Sequence, residues 1–205
     1  MIKIINCEQG SPEWFKYRCG SVGASRVKDA TAGGQGKSRK TLAYQLISEE
    51  ITGEKTEMFC TPAMQYGIDN EPEARAAFSF QENVELEEVG LVINTDFPGC
   101  HASPDGLSFS GKKIVTGVEI KVPNGSTLVK YIHEGRLPPE YVKQVQFTMM
   151  ICELESYWFF AYRPGFSRNL SLEIERDYDV TNSLATGLES FFKEKEGIAK
   201  KIGEQ

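Results

Sequence analysis

Histidine is scarce in this chain, and paired cysteines and long apolar runs are missing. The two histidines, His101 and His133, lack zinc-ligand spacing and are poor candidates for a histidine-metal nuclease. Local hydrogen bonding or solvent exposure is the expectation for both. Five cysteines (Cys7, Cys19, Cys60, Cys100, Cys152) are odd in number, widely spaced and never Cys-x-x-Cys, which disfavours a disulfide framework, a zinc ribbon or an iron–sulfur cluster. Buried free thiols are expected instead. No apolar run approaches the roughly 18 residues of a membrane span, and Met1-Ile2-Lys3-Ile4-Ile5-Asn6 turns polar too soon for a signal peptide. A cytoplasmic location follows as an expectation. There is no internal repeat, low-complexity tract or linker. The Gly33-Gly34-Gln35-Gly36-Lys37-Ser38-Arg39-Lys40 stretch lacks both the spacing of a phosphate-binding P-loop and a preceding apolar strand, so it reads as a mobile basic loop.

The composition that remains is ordinary for a globular protein: 205 residues, 40% hydrophobic and 25% charged. That length suits one domain, with a basic helical part at 1–45, a core at 61–176 and a last helix at 179–202. Charge is unevenly spread. Residues 1–45 carry a balance of +5 and residues 46–90 one of −9, within a total of −6. An acidic total argues against nonspecific coating of nucleic acid but leaves room for a basic surface beside an acidic pocket.

Ser11-Pro12-Glu13 reads as the start of a short helix ending at Gly20, and a second short helix is expected over 25–30. Helical spacing covers 42–51, 61–80, 126–134, 141–152 and 181–201. Strand patterns cover 84–94, 114–122, 157–162 and 170–174. The sum is an α/β or α+β layer structure, a mixed sheet flanked by helices.

The sharpest motif is Val118-Glu119-Ile120-Lys121-Val122. Strand alternation sends Val118, Ile120 and Val122 into the core and projects Glu119 and Lys121 together from the other face. Fourteen residues upstream, Ser103-Pro104-Asp105-Gly106 holds an acid at a turn. Two carboxylates about 4 Å apart repel by about 4 kcal/mol at an effective dielectric near 20 unless a cation lies between them. Magnesium suits oxygen donors and keeps waters, one of which can act as nucleophile. Glu71 falls on the stripe Met64, Ile68, Ala74, Arg75, Phe78 and should face inward, where it needs a metal site or an i+4 pairing with Arg75.

The ordered set Trp14-x-x-x-Arg18-x-Gly20-x-x-x-Ala24-Ser25, Gly67-x-x-x-Glu71-x-x-Ala74-Arg75, Ser103-Pro104-Asp105-Gly106-Leu107, Glu119-Ile120-Lys121 and Gln144-Val145-Gln146 resembles the lambda-phage exonuclease group, the YqaJ-type viral recombinases. That group lies within the Pro-Asp...Asp/Glu-x-Lys nuclease superfamily. The resemblance implies a restriction-endonuclease-like core and a magnesium-dependent 5′-to-3′ exonuclease that degrades one strand of linear duplex DNA to mononucleotides, with manganese able to substitute. It implies two metal ions, with Asp105, Glu119 and the Ile120 backbone carbonyl as ligands and Glu71 bonded to metal-bound water. Lys121 would orient or activate the attacking water, and Gln146, with Gln144 near it, would hydrogen-bond water or substrate. Arg18 and Ser25 match a 5′-phosphate pocket, Ser25 as the cap of a helix N-terminus that attracts anions. Met64 sits where the family has an apolar wedge at the terminal base pair, with core packing as its alternative. Charge alone suggests duplex-backbone contacts for Lys37, Arg39 and Lys40. The resemblance also implies a homotrimeric ring, a single-strand annealing protein as partner in phage-type recombination, and a bacterial host cell. Two other readings stay open: a site-specific endonuclease of the same fold, and a non-catalytic DNA-end-binding protein.

Overall fold

The structure is a computed structural model and describes residues 1–33, 36–56 and 60–203. Its elements, in order, are β1 (Ile2–Ile5), α1 (Pro12–Arg18), β2 (Val22–Gly23), a 3-10 turn (Ala24–Arg26), α2 (Val27–Ala30), α3 (Lys37–Thr52), α4 (Pro62–Glu82), β3 (Leu91–Asn94), β4 (Cys100–His101), β5 (Gly106–Ser110), β6 (Lys113–Lys121), α5 (Gly125–Glu134), α6 (Pro139–Cys152), β7 (Ser156–Ala161), β8 (Leu170–Glu175) and α7 (Tyr178–Lys201).

The main sheet has the order β5-β6-β7-β8. Strand β6 pairs antiparallel with β5 and parallel with β7, and β8 closes the sheet antiparallel to β7. A parallel neighbour requires a crossover, and α5 with α6 supplies it. Gly117 lets the strands close: a Cβ there would lie 2.7 Å from the Gly106 carbonyl oxygen and from the Tyr157 ring.

Both faces of the sheet are covered. Ala74 and Phe78 of α4 pack on Val118, Ile120, Phe160 and Tyr162, while the larger core joins α6, α2, α3 and α7 to the face bearing Tyr157 and Phe159. The expected inward turn of Val118 and Ile120 is therefore observed. The opposite face of β6 is roofed by α6, so Glu119 is only 3% exposed. Every residue of α6 from Val145 to Cys152 is buried, which makes it the central helix of the larger core.

Helix α4 begins with Thr61 accepting from the Met64 N–H and carries Pro72 in its interior. Proline leaves the carbonyl one turn back without its helical partner. Upstream of it Met64 and Ile68 are exposed; downstream Ala74 and Phe78 are buried. Core packing for Met64 is thus excluded. The expected strand pattern over 84–94 reduces to β3 and one bridge between Glu87 and Leu107.

Of the expected basic loop, Lys37 to Lys40 instead form the first turn of α3; Gly34 and Gln35 lie outside the described residues. Arg39 is 6% exposed and donates to Glu194 (2.7 Å), the Ala30 carbonyl (2.8 Å) and Ser190 (3.1 Å). It ties α3 to α2 and α7 and is not available to DNA. Lys37 is exposed and Lys40 half-buried. All five cysteines are free thiols, but Cys60 is exposed and Cys7 and Cys19 are half-buried, so the expected burial holds for Cys100 and Cys152 alone.

Candidate active site

The pairing of β5 with β6 stops at Gly106 opposite Val118. Beyond it, among the described residues, no strand pairs with the β6 edge from Glu119 to Lys121 on that side, and Asp105, the residue before β5, stands at the gap. Asp105 Oδ2 accepts from the Ile120 N–H at 2.6 Å. A strand residue's N–H and C=O leave on the same side, so the Ile120 carbonyl shares that open edge with Asp105. Two side chains brace the turn from behind. Gln9 Nε2 donates to the Val89 and Pro104 carbonyls (2.9 and 3.1 Å), and Arg75 Nε donates to the Asp105 carbonyl (2.6 Å).

Glu119 Oε1 accepts from Lys121 Nζ and, at 2.5 Å, from Gln144 Nε2. Lys121 also lies 5.4 Å from the centre of the Tyr141 ring, three residues before Gln144 on α6. Burial and the neighbouring Glu119 push the Asp105 carboxyl well above the ordinary aspartate range, against the pull of Lys121. Burial opposes charge on Lys121, yet Glu119 and Asp105 outweigh it and raise its pKa. The ammonium is therefore a firm cation and hydrogen-bond donor. Glu71 is raised by burial, with Arg75 and Lys121 acting against the shift. Its carboxylate binds Arg75 at 2.6 Å, the i+4 pairing.

Gln146 does not reach this cluster. Residues two apart on a helix point about 200° apart, and Gln146 is buried on the far side, donating to the Glu175 carbonyl (2.9 Å) and accepting from the Asp177 N–H (2.8 Å). Gln144, rather than Gln146, is the α6 glutamine that reaches Glu119.

Arg18 lies with its guanidinium 3.8 Å over the Trp14 ring and donates to Ser103 Oγ at 3.4 Å; burial lowers its pKa to about 10. Ser103 is two residues from Asp105, so at most about 7 Å of chain separates the Arg18 partner from the acid. Ser25 does not cap a helix: it is exposed inside the 3-10 turn, whose N-cap position is Gly23, with no side-chain cap. His101 is buried with Nδ1 2.7 Å from Ser21 Oγ, which also donates to the Arg18 carbonyl. His133 is exposed.

A cleft of about 1170 Å³ is lined by Trp14, Arg18, Lys55, Met64, Glu71 and Arg75 among others, and it meets the Asp105 turn through Arg18 and Arg75 rather than through Asp105, Glu119 or Lys121 themselves. Lys55, held by Glu49 at 2.7 Å, carries no motif that sequence reading could have used. Among the described residues no cluster of three or more His, Cys, Asp or Glu side chains has metal-holding geometry. The donor set on the open edge is two carboxylates and one carbonyl, all hard oxygens, with Asp105 underneutralised. These donors fit a cation such as magnesium, which fills the rest of its shell with water.

Among protein-family models, the YqaJ-like viral recombinase domain matches residues 13–155. No curated protein sequence matches the chain. The fold is similar to a crystal structure of an alkaline exonuclease, LHK-Exo, from Laribacter hongkongensis, with 32% identity, a TM-score of 0.83, and 94% of this chain and 96% of that chain covered. The same exonuclease in complex with dAMP matches at 31% identity and a TM-score of 0.79, covering 94% and 98% of the two chains. A phage-related exonuclease from Haemophilus somnus 129PT shares the fold at 13% identity and a TM-score of 0.64, covering 89% and 96%. The mixed sheet with helices on both faces is the alkaline exonuclease fold, of the Pro-Asp...Asp/Glu-x-Lys type. With more than half its length matched, the chain belongs to the family of YqaJ-like viral recombinase domains.

Proposed function

We propose that this nuclease is a magnesium-dependent exonuclease that digests linear duplex DNA from 5′ ends and releases mononucleotides. The observation that carries the reading is the convergence of Asp105, Glu119 and Lys121 at the open edge of β6, with Arg18 joined to the same turn through Ser103. Asp105, Glu119 and the Ile120 carbonyl would hold the cation, which would supply an activated water and neutralise charge on the scissile phosphate. These donors suffice for one ion; a second would draw on Asp105 and the DNA phosphate. Lys121, being cationic, donates to the water or to a phosphate oxygen and takes no proton itself. Gln144 fixes the Glu119 carboxylate. Glu71, on the cleft wall, would bond water held by such a cation. Arg18, bonded to Ser103 two residues before Asp105, grips a terminal phosphate with its planar fork. Met64, exposed on the cleft wall, meets the terminal base pair in this reading, and Lys37 adds its charge to the positive end of α3. The dAMP complex of the Laribacter enzyme is in keeping with a mononucleotide product. A homotrimeric ring and a single-strand annealing partner in phage-type recombination complete the proposal.

The test is nucleotide release with magnesium from linear and circular duplexes labelled at either end. Linear DNA should be digested from its 5′ ends with a preference of roughly 10–100-fold for 5′-phosphate over 5′-hydroxyl, lost in Arg18→Ala. Cutting of circular DNA would overturn the exonuclease reading.

A further inference from the structure

We infer that Arg75 is a positioning residue that sets the Asp105 turn for cation binding; the inference rests on the proposed cation site at Asp105 and Glu119. One guanidinium makes three contacts of 2.6 Å: Nε to the Asp105 main-chain carbonyl, one terminal nitrogen to Glu71, and the other to Glu88. The side chain is 16% exposed, between a carboxylate that is 29% exposed and one that is 53% exposed. The first contact sets this arrangement apart from a simple ion pair. Asp105 precedes β5 and has no strand partner, so its carbonyl is fixed from α4 by a side chain. With Ile120 holding the carboxylate and Arg75 holding the carbonyl, Asp105 is gripped at both ends. Glu71 and Glu88 in turn hold the guanidinium plane from either side. A lysine at this place would keep the charge beside Glu71 but could not reproduce three divergent donors.

The experiment is manganese binding by titration calorimetry on the full chain, with the melting temperature of each cation-free protein measured in parallel. Wild type and Asp105→Asn come first. If wild type binds manganese no better than Asp105→Asn, the proposed cation site fails and the inference falls with it. Given a working site, Arg75→Lys should bind manganese about three- to tenfold more weakly while melting within a few degrees of wild type. Glu88→Gln, which frees only the exposed arm, should fold normally and lose about twofold. Arg75→Lys with wild-type affinity would reduce Arg75 to a counter-charge and overturn the inference. So would a loss of affinity that follows a large fall in melting temperature, which would mark a role in folding alone.

Discussion

Asp105 is the residue at which catalysis and stability pull in opposite directions. Its carboxyl is raised well above 3.8 by burial and by Glu119, so ionising it in the cation-free protein opposes folding. The linkage has a definite sign: the favourable contribution of the protonated carboxyl is complete below the unfolded pKa of 3.8 and is lost as pH rises through the elevated folded value. At neutral pH, Asp105→Asn should therefore melt at a higher temperature than wild type without metal, keep the Ile120 contact through its amide oxygen, and lose at least about 100-fold in activity. Added magnesium should raise the melting temperature of wild type and leave the variant unchanged. Thermal melts with and without magnesium check this, and a variant that melts lower than wild type would contradict it.

Gln144 and Gln146 separate function from stability on a single helix. Gln144→Ala removes a donor from Glu119 and should slow turnover about tenfold or more with little change in stability. Gln146→Leu should do the reverse. Its amide makes two hydrogen bonds at 3% exposure, so removing it leaves the Glu175 carbonyl and the Asp177 N–H without it, at a cost of about 1–3 kcal/mol in denaturant unfolding. Single-turnover rates and urea midpoints on the two variants decide the assignment.

At the scale of elements, α3 shows how a cationic cluster divides by burial. Lys37, Arg39 and Lys40 sit in one turn, yet only Arg39 turns inward, where it joins α3 to α2 and α7 through three hydrogen bonds. Arg39→Ala should lower stability by about 2 kcal/mol or more and leave the salt dependence of DNA binding unchanged. Lys37→Ala should hold stability within about 0.5 kcal/mol and reduce the salt slope by about one. Denaturant melts and binding measured at several salt concentrations distinguish the two.

Helix α4 divides in another way. Its first turns stand out along the cleft and its last turns pack on β6, with Glu71 and Pro72 at the change. One element thus presents Met64 to the cleft, places Glu71 beside Arg75 and anchors both through Ala74 and Phe78. Helical spacing revealed the stripe these residues share. It could not reveal where along the stripe packing begins, because that depends on how far the sheet extends beneath the helix.

Across the whole molecule, the layers bring together segments distant in sequence: α1 with the Ser103 turn, α4 with Asp105, and α6 with Glu119. What the sequence by itself determined is local. The β6 motif, the Pro-Asp turn, the caps at Ser11 and Thr61 and the helical periods each depend on neighbours a few residues away, and all stand close to where they were expected. The family was legible as well, because its blocks keep their order along the chain. The two-residue strands β2 and β4 were not, being too short to show alternation. Only the tertiary structure decided which glutamine of α6 faces Glu119, that Arg39 is buried, that Ser25 caps no helix, and that Arg75 reaches the Asp105 carbonyl. Each of these turns on which side of an element meets another layer. A local pattern specifies the period of a helix or strand, whereas the direction that period faces is fixed by packing against residues far along the chain.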